Sequence, residues 1–133
     1  MSTLVDSNVL IDVLSEDARW FNWSSHALAH AVEHGTLGIN PIIYAEVAVG
    51  YTSAAQVDAV LPIDRFARLA LPFAVGFLAG RAFVSYRRRG GARQSPLPDF
   101  YIGAHALVDG HTLLTRDPAR YRTYFPKLKL ICP

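Results

Sequence analysis

The stretch SPLPDFYIGAHAL, residues 95–107, places one carboxylate, Asp99, at the head of an otherwise apolar segment. Pro96 and Pro98 keep the entering chain extended, because a residue that precedes proline is disfavoured in the helical region. Asp99 then falls where N-cap residues fall, and its side chain is expected to accept free N–H groups of the first turn. The positive end of the helix dipole favours its ionised form. The residues that follow are too apolar for a surface helix, so we predict a core helix with a charged acid at its edge.

The length and composition bound the class of protein. A chain of 133 residues is long enough for one domain, residues 1–133, that buries a core without disulfides. The single cysteine, Cys132, excludes an internal disulfide and a multi-cysteine zinc site, and it fits a reducing cytoplasm. Residues 1–14 carry no Lys or Arg and contain two aspartates, which is not the pattern of a signal peptide. The longest apolar run, residues 69–79, is too short to span a membrane, so we expect a soluble, cytoplasmic protein.

Short apolar runs alternate with helical segments along the chain. The runs that predict strands are residues 3–5, 37–39, 69–71, 112–115 and 128–131. Asn40 and Pro41 together predict a helix start, while Gly35 and Gly110 predict helix ends. Because the strands alternate with helices, we predict a parallel α/β sheet with right-handed crossovers.

Side-chain patterns assign faces to two of the helices. The long helix that Pro72 opens is predicted to turn five apolar residues toward the core, namely Phe73, Phe77, Ala79, Phe83 and Val84. In the helix of residues 20–34, the side chains of His26, His30 and His34 share one face. No carboxylate or cysteine pattern completes a zinc site there, so we interpret this face as solvated.

Three acidic residues are predicted to meet at one edge of the sheet, and a fourth, Glu46, reaches that edge only if its helix leans across it. Asp6 and Asp117 each follow a predicted strand, and the carboxyl ends of parallel strands share an edge that Asp99 also faces. Glu46 is the only charge in an apolar helix, so either that helix keeps one narrow wet face or Glu46 points at a cation. Taken singly, Asp6 and Asp99 are also explained as turn and cap residues. Two carboxylates about 4 Å apart repel by roughly 4 kcal/mol at an effective dielectric of 20, and a bound Mg²⁺ or Mn²⁺ removes that cost.

Basic residues cluster immediately before this edge. The net charge is only +2, but Arg87, Arg88, Arg89 and Arg93 lie close together in the sequence. Helix C-termini favour cations, which accounts for part of the cluster. The glycine-rich loop of residues 90–97 leads directly to the predicted core helix, an arrangement suited to a phosphate-backbone ligand. Contact with RNA or a partner and a plain solvated surface both remain open.

Several motifs together resemble a known family over essentially the whole chain. They are LVDSNVLID at residues 4–12, the helix of Glu46, PLPDFYIGAHA at residues 96–106, and LTRD at residues 114–117 with Tyr121 and Phe125. This set resembles the PIN domain, specifically a VapC-type toxin ribonuclease of a bacterial toxin–antitoxin pair. The resemblance implies a PIN-like three-layer α/β/α sandwich with a central parallel sheet of about five strands. Asp12 lies outside the pattern and is interpreted as a surface residue.

The resemblance also implies roles for individual residues. Asp6, Glu46, Asp99 and Asp117 become the acidic metal site, with Asn8 and Thr115 as supporting polar residues. The implied reaction is hydrolysis of an RNA phosphodiester by water that one or two Mg²⁺ or Mn²⁺ ions activate. The five candidates for holding the RNA backbone are Arg87, Arg88, Arg89, Arg93 and Arg116. An antitoxin protein and a second copy of the chain are the other implied partners, and no membrane is implied.

Two other functions compete with this reading. A haloacid-dehalogenase-like phosphatase also begins with an aspartate after its first strand, but it needs a second aspartate two residues later, where this chain has Asn8. A catalytically silent PIN-fold module that binds nucleic acid or protein would keep the fold and lose the site. The presence of all four acids argues against that loss.

Overall fold

The computed structural model describes residues 2–133, and its centre is a sheet of five strands in the order β3-β2-β1-β4-β5. The strands are β1 (Ser2–Val5), β2 (Thr36–Ile39), β3 (Phe66–Arg68), β4 (Thr112–Leu114) and β5 (Leu130–Ile131). Every neighbouring pair is parallel, which confirms the predicted α/β class.

Helices connect the strands and flank the sheet. They are α1 (Ser7–Leu14), α2 (Phe21–His34), α3 (Pro41–Ala48), α4 (Ala54–Val60), α5 (Phe73–Arg88), α6 (Pro98–Asp109) and α7 (Ala119–Tyr124). Two of the predicted boundaries have the expected chemistry. The Asn40 side chain accepts the backbone N–H of Ile43 at 2.9 Å, with Pro41 as the first helical residue, and Gly110 ends α6 in a left-handed conformation at φ 69°.

The middle of the sheet positions the residues that follow β1 and β4. Val5 pairs with Leu114 in parallel register, and both side chains are fully buried. The backbone N–H of Asp6 then donates to the carbonyl of Leu114 at 2.9 Å. This bond brings Asp6 beside Thr115 at the carboxyl edge of the sheet.

The predicted strand at residues 69–71 is wrong, because the third strand is β3, a few residues earlier. β3 is an edge strand whose residues are half-buried or exposed, so its sequence, Phe-Ala-Arg, lacks the apolar run that the prediction relied on. The ladder ends where the N–H of Leu69 donates to the carbonyl of Ile39 at 2.9 Å. Beyond Ile39 the neighbouring chain turns into α3 and offers no further strand to pair with.

The predicted inner face of α5 is also wrong in part. Phe73 is fully exposed at 102% and Phe77 is 71% exposed, whereas Ala79 is buried as predicted. The buried residues of α5 are Val75, Ala79 and Ala82, which are small enough to let α5 pack closely on α6. Phe83 is half-buried and packs against the core as predicted, so the core face of this helix combines small residues with this one predicted aromatic ring. No helix among residues 2–133 is long and apolar enough to cross a membrane.

One glycine lets α7 approach α6 closely. A Cβ built on Gly103 would lie 2.6 Å from the ring of Phe125 and 3.0 Å from the ring of Tyr121. These rings consequently pack against bare backbone in the middle of the core helix. Gly80 of α5 has no atom within 4 Å of the equivalent position.

Gly103→Ala is therefore expected to lower the free energy of unfolding by about 1–3 kcal/mol, because the added methyl overpacks the α6–α7 contact. Gly80→Ala is the matched control and is expected to raise it by up to about 1 kcal/mol, since alanine favours helix where there is room. Urea unfolding measures both. Equal effects of the two substitutions would contradict the packing argument.

Candidate active site

The carboxylate of Asp6 is the buried centre of the carboxyl edge, with only 2% of the residue exposed. Three side chains donate to one of its oxygens, Oδ2: the hydroxyl of Tyr121 at 2.8 Å, the hydroxyl of Thr115 at 2.9 Å and the amide of Asn8 at 3.3 Å. Within residues 2–133, no hydrogen bond reaches Oδ1. The second oxygen is therefore left for a ligand.

Burial governs the charge of this group. Desolvation raises the pKa of Asp6 to about 6, partly opposed by the hydrogen bond from Tyr121, and the negative charges of Asp99 and Glu46 raise it further. Burial, together with the Asp6 charge, raises the pKa of Tyr121 well above its usual value, so its hydroxyl stays protonated and donates.

Glu46 faces the same edge from α3. Its carboxylate accepts a hydrogen bond from the hydroxyl of Ser7 at 2.9 Å, and Ser7 directly follows Asp6. Partial burial raises the pKa of Glu46, as does the charge of Asp99, against the lowering effect of the Ser7 bond. The sequence left two explanations for Glu46, a narrow wet face on its helix or a cation nearby. In the structure Glu46 is half-buried and lies close enough to Asp99 to feel its charge, which favours the second.

Asp99 lies in the first turn of α6, not at its N-cap as predicted. Leu97 is the N-cap and Pro98 the first helical residue, so Asp99 is the second, and α6 has no side-chain cap bond. The two prolines extend the chain as expected, but Pro98 itself begins the helix because its fixed φ suits that position. The Asp99 carboxylate is thereby free to accept from Arg120 of α7 at 3.0 Å.

Asp117 stands apart from the other three acids. Its side chain is 67% exposed and pairs with the guanidinium of Arg116 at 3.0 Å. The charge of Asp99 raises the pKa of both Asp6 and Glu46. The structure thus brings Asp6, Glu46 and Asp99 together and leaves Asp117 on the rim, where it shares a groove with Asp99.

Asn8 and Thr115 join the ends of β1 and β4 around Asp6. The Asn8 amide donates to Thr115 Oγ1 at 3.2 Å, and Asn8 Oδ1 accepts the N–H of Arg116 at 3.2 Å. Thr115 Oγ1 also accepts the N–H of Asp117 at 3.1 Å while its own proton goes to Asp6. Both residues that the resemblance named as supporting therefore contact the buried acid or its neighbours.

The prediction that Asp12 is a surface residue is wrong. Asp12 is 1% exposed, and it accepts from Arg116 Nε at 2.8 Å and from the hydroxyl of Ser24 at 2.8 Å. Ser24 lies in α2 and Arg116 follows β4, so no local sequence pattern predicts that either residue will contact Asp12. The guanidinium of Arg116 also lies 5.6 Å from the ring centre of Trp20.

The arginines proposed to hold RNA fall into different environments. Arg116 is engaged with Asp12 and Asp117, and Arg87 donates to the carbonyls of Gly91 and Arg93 at 3.1 and 3.0 Å. The remaining three, Arg88, Arg89 and Arg93, have exposed side chains. Of the five arginines, only Arg89 borders the groove that contains Asp99 and Asp117.

Sequence reasoning missed Tyr121 and Arg120 as polar residues of the site. Tyr121 appears in the sequence analysis only as a member of the family motifs, without a polar role, yet a buried tyrosine hydroxyl needs a partner, and that rule is the available signal. Arg120 has no signal in the sequence, because its pairing with Asp99 depends on how α7 packs beside α6.

A second group of possible ligands lies outside this edge. Among the described residues, the one set whose ligand atoms all lie within 4.8 Å of one another is His105, Asp109 and His111. The amide nitrogen of Asn40 faces His105 Nδ1 at 3.0 Å, since its oxygen caps α3, and so the ring proton resides on Nε2 and points to Asp109 at 3.1 Å. Burial lowers the pKa of His105, which keeps the ring neutral. Hydrogen bonds to Asn40 and Ser2, and the bond between His105 and Asp109, thus account for this set without a metal. The histidine face of α2 is exposed, as predicted.

Comparisons with known proteins decide the family. Residues 3–126 match the family model described as the PIN domain. The chain belongs to the PIN domain family. A comparison with curated protein sequences gives no match.

Solved structures with the same PIN fold cover nearly the whole chain. One is VapBC2 from Rickettsia felis bound to a promoter DNA fragment, with 18% identity, 99% and 98% of the two chains covered and a TM-score of 0.74. VapBC-1 from nontypeable Haemophilus influenzae has 20% identity, the same coverages and a TM-score of 0.74. A toxin–antitoxin complex from Klebsiella pneumoniae has 22% identity, 97% and 95% coverage and a TM-score of 0.66. These likenesses confirm the PIN-like sandwich and its five-stranded parallel sheet.

The residues at the edge fit a divalent cation. Asp6 is buried and pairs with no cationic side chain among residues 2–133, whereas the other buried acid, Asp12, has Arg116. An all-oxygen set of carboxylates suits Mg²⁺ or Mn²⁺. The oxygens of Asp6, Glu46 and Asp99 do not all lie within 4.8 Å of one another. That spacing is compatible with Mg²⁺, which keeps several waters and uses one or two carboxylates directly.

Asp6→Asn is expected to stabilise the metal-free protein above pH 6. The native pKa of Asp6 is raised to about 6 from 3.8, so the native state holds a proton that the unfolded state has lost between about pH 4 and 6. Wild-type stability therefore falls as the pH rises through that window. At pH 8 in EDTA the free energy of unfolding of the variant should exceed that of the wild type by up to about 3 kcal/mol. Near pH 4 the two free energies should converge.

Urea unfolding at pH 4, 6 and 8 measures this difference. Added Mg²⁺ should recover stability in the wild type and much less in Asp6→Asn, because a ligand stabilises only the state that binds it. A wild type that gains stability from pH 4 to 8 relative to the variant would reverse the sign and refute the argument.

Arg116→Met is expected to lower the free energy of unfolding by about 3 kcal/mol, because it leaves the buried charge of Asp12 without its cation. Adding Asp12→Asn should return part of that loss, so the double variant is more stable than the two single effects summed. Lys127→Met, at an exposed cation, is the control and should change stability by less than about 0.5 kcal/mol. Strictly additive effects would show that the pair is not coupled.

Proposed function

We propose that this PIN domain is a Mg²⁺- or Mn²⁺-dependent endoribonuclease and the toxin of a toxin–antitoxin pair. The observation that carries the proposal is the buried Asp6 carboxylate, which lacks a cationic partner within residues 2–133 and has Glu46 and Asp99 in electrostatic reach. A structural acid at this depth would resemble Asp12, which is neutralised by Arg116. A carboxylate held ready for an external cation explains the difference.

The residues of the chain prepare the site for hydrolysis. Tyr121, Thr115 and Asn8 hold one oxygen of Asp6 and leave the other for a ligand. Ser7 orients Glu46 in the same way. When bound, a divalent cation activates water for attack on phosphorus and offsets the charge that develops on the phosphate. The dipole of α6 contributes positive potential beside Asp99, where the phosphate would approach.

Rim residues complete the proposed assignment. Asp117 is proposed as an outer acid that acts near the groove instead of among the buried ligands, because it is exposed and paired with Arg116. Arg88, Arg89 and Arg93 are proposed to attract the RNA backbone with their exposed charges. Arg87 and Arg116, which the sequence also suggested, are proposed to act through the loop and the rim that they hold.

The toxin role is supported by family membership and by solved PIN-fold neighbours that are themselves VapBC and toxin–antitoxin complexes. We propose an antitoxin protein as a partner, which inhibits by covering the groove or by inserting a charged side chain. A homodimer is also proposed, and the exposed Phe73 and Phe77, which are neighbours one turn apart on α5, support it as apolar surface that a second copy would cover.

The test is cleavage of a 5′-labelled structured RNA by the purified chain in Mg²⁺, in Mn²⁺ and in EDTA. Cleavage should require the cation and should fall by more than about 100-fold in Asp99→Asn. Substituting a residue that only hydrogen-bonds to a metal ligand already lowers activity by about 10- to 100-fold, and a direct ligand should matter more. Asp64→Asn, at an exposed acid away from the edge, should cleave like the wild type. Asp117→Asn should cost less than Asp99→Asn.

Cleavage that persists in EDTA or in Asp99→Asn would reject the metal mechanism. Binding without cleavage of any RNA would favour the silent PIN-fold module. Release of phosphate from a phosphomonoester would favour the phosphatase, although Asn8 donates a hydrogen bond to Asp6 where that chemistry needs a second acid.

A further inference from the structure

A groove of about 570 Å³ runs alongside the proposed site, between the end of α5, the start of α6 and α7. Asp99 and Asp117 border it, and so connect it to the acids. The other side chains that matter are Arg89, Arg120, Tyr86 and Tyr124. The volume is within the range of ligand-binding clefts, about 300–1,000 Å³. The lining combines cations with aromatic rings, which is unlike the apolar cleft between α1, α2 and α4.

Arg120 links the groove to the acids. Its guanidinium donates to Asp99 Oδ2 at 3.0 Å, and both side chains are partly exposed. A surface ion pair of this kind contributes only about 0–1 kcal/mol to stability, so a phosphate can readily replace Asp99 as the partner of Arg120. A guanidinium has five N–H donors, of which one is used here, and its planar fork matches the geometry of a phosphate. Arg120 is thus placed to hold a phosphate next to Asp99.

Tyr124 provides a flat surface on the same side. The rings of Tyr124 and Phe100 are inclined at 68° in an edge-to-face pair with centres 5.1 Å apart, and this contact anchors Tyr124 to the core helix. The guanidinium of Arg89 lies over the ring face, 5.6 Å from its centre. The ring lines the groove, and the exposed Arg89 side chain that covers it is held by a cation–π contact of only about 0.5–1 kcal/mol, so it can move aside for a base or stack over one. An aromatic face next to an arginine is the combination on which unpaired bases stack.

We propose that this groove binds a nucleotide of single-stranded RNA next to the phosphodiester that is cut, with Arg120 holding a phosphate and the base stacked on Tyr124 beside Arg89. The inference rests on the proposed nuclease function and names the part of its substrate that the groove recognises. A base within a duplex has no free face, so the groove selects unpaired segments. An acidic polypeptide would also attract both arginines, but it has no ring to stack, and the tyrosine would then add nothing.

RNA binding without cleavage tests this proposal. Fluorescence anisotropy in EDTA and 50 mM KCl measures the affinity of the full chain for a labelled single strand and for a duplex of the same sequence. Tyr124→Leu should weaken binding of the single strand by about 5- to 100-fold and leave duplex binding within about twofold. Tyr124→Phe keeps the ring and should bind like the wild type, which separates stacking from any loss of fold.

Arg120→Gln is compared with Arg122→Gln, because both arginines lie on α7 and Arg122 is turned to Cys132 instead of the groove. Arg120→Gln should weaken binding several-fold and reduce the slope of log affinity against log salt by about 0.7, the value for one phosphate contact on a single strand. Arg122→Gln should change the slope by much less.

Three outcomes would overturn the groove assignment. In the first, the wild type cleaves RNA with Mg²⁺, but Arg120→Gln and Tyr124→Leu bind single-stranded RNA as well as Arg122→Gln does. This outcome rejects the groove assignment and leaves the nuclease proposal intact. The second is equal loss of single-strand and duplex binding in Tyr124→Leu. The third is that Tyr124→Leu and Arg120→Gln weaken the binding of a ten-residue oligoglutamate peptide as much as they weaken the binding of RNA. That result would assign the groove to an acidic polypeptide. The expected binding pattern without any metal-dependent cleavage would support the groove and reject the nuclease.

Discussion

The structure depends on one buried carboxylate, that of Asp6, at the junction of the two central strands. Side chains from three separate segments converge on a single oxygen: Asn8 from α1, Thr115 from the end of β4, and Tyr121 from α7. The position of Tyr121 in turn depends on Gly103, which lets the tyrosine ring lie against the backbone of α6. Burial raises the pKa of Asp6 to about 6, so the charged form opposes folding at neutral pH. A fold that keeps such a group trades stability for a site.

A second buried acid, on the helix that follows Asp6, shows the alternative. Asp12 is as deeply buried as Asp6, but Arg116 and Ser24 satisfy it from within the chain. The two acids differ in their partners, not in depth, and the absence of a cation beside Asp6 among residues 2–133 is what marks it as a candidate ligand. Arg116 also pairs with Asp117, so the structural pair and the rim of the site are joined through one guanidinium.

The arginines around the carboxyl edge fall into two groups, those that stabilise the fold and those that border the groove. Arg87 closes the loop after α5 by donating to two of its carbonyls, and Arg116 neutralises Asp12. Arg89 and Arg120 instead border the groove, one over Tyr124 and the other against Asp99. Counting arginines along the sequence therefore identifies a basic region, while only their partners distinguish side chains that hold the fold from those free to meet a phosphate.

The sequence by itself determined the parallel α/β class and the helix boundaries at Asn40 and Gly110, because periodicity and caps are local signals. Strand ends predicted that Asp6 and Asp99 share one edge, whereas Glu46 joined them only through the family resemblance. It failed at β3, whose exposed edge lacks an apolar run, and at Phe73 and Phe77, where small residues make the core face instead. Tertiary structure alone decided that Asp12 is buried, that Asp117 stands apart, and that Arg120 meets Asp99. Each of these depends on a contact between distant segments, and a charged side chain carries no local mark of the partner that will neutralise it.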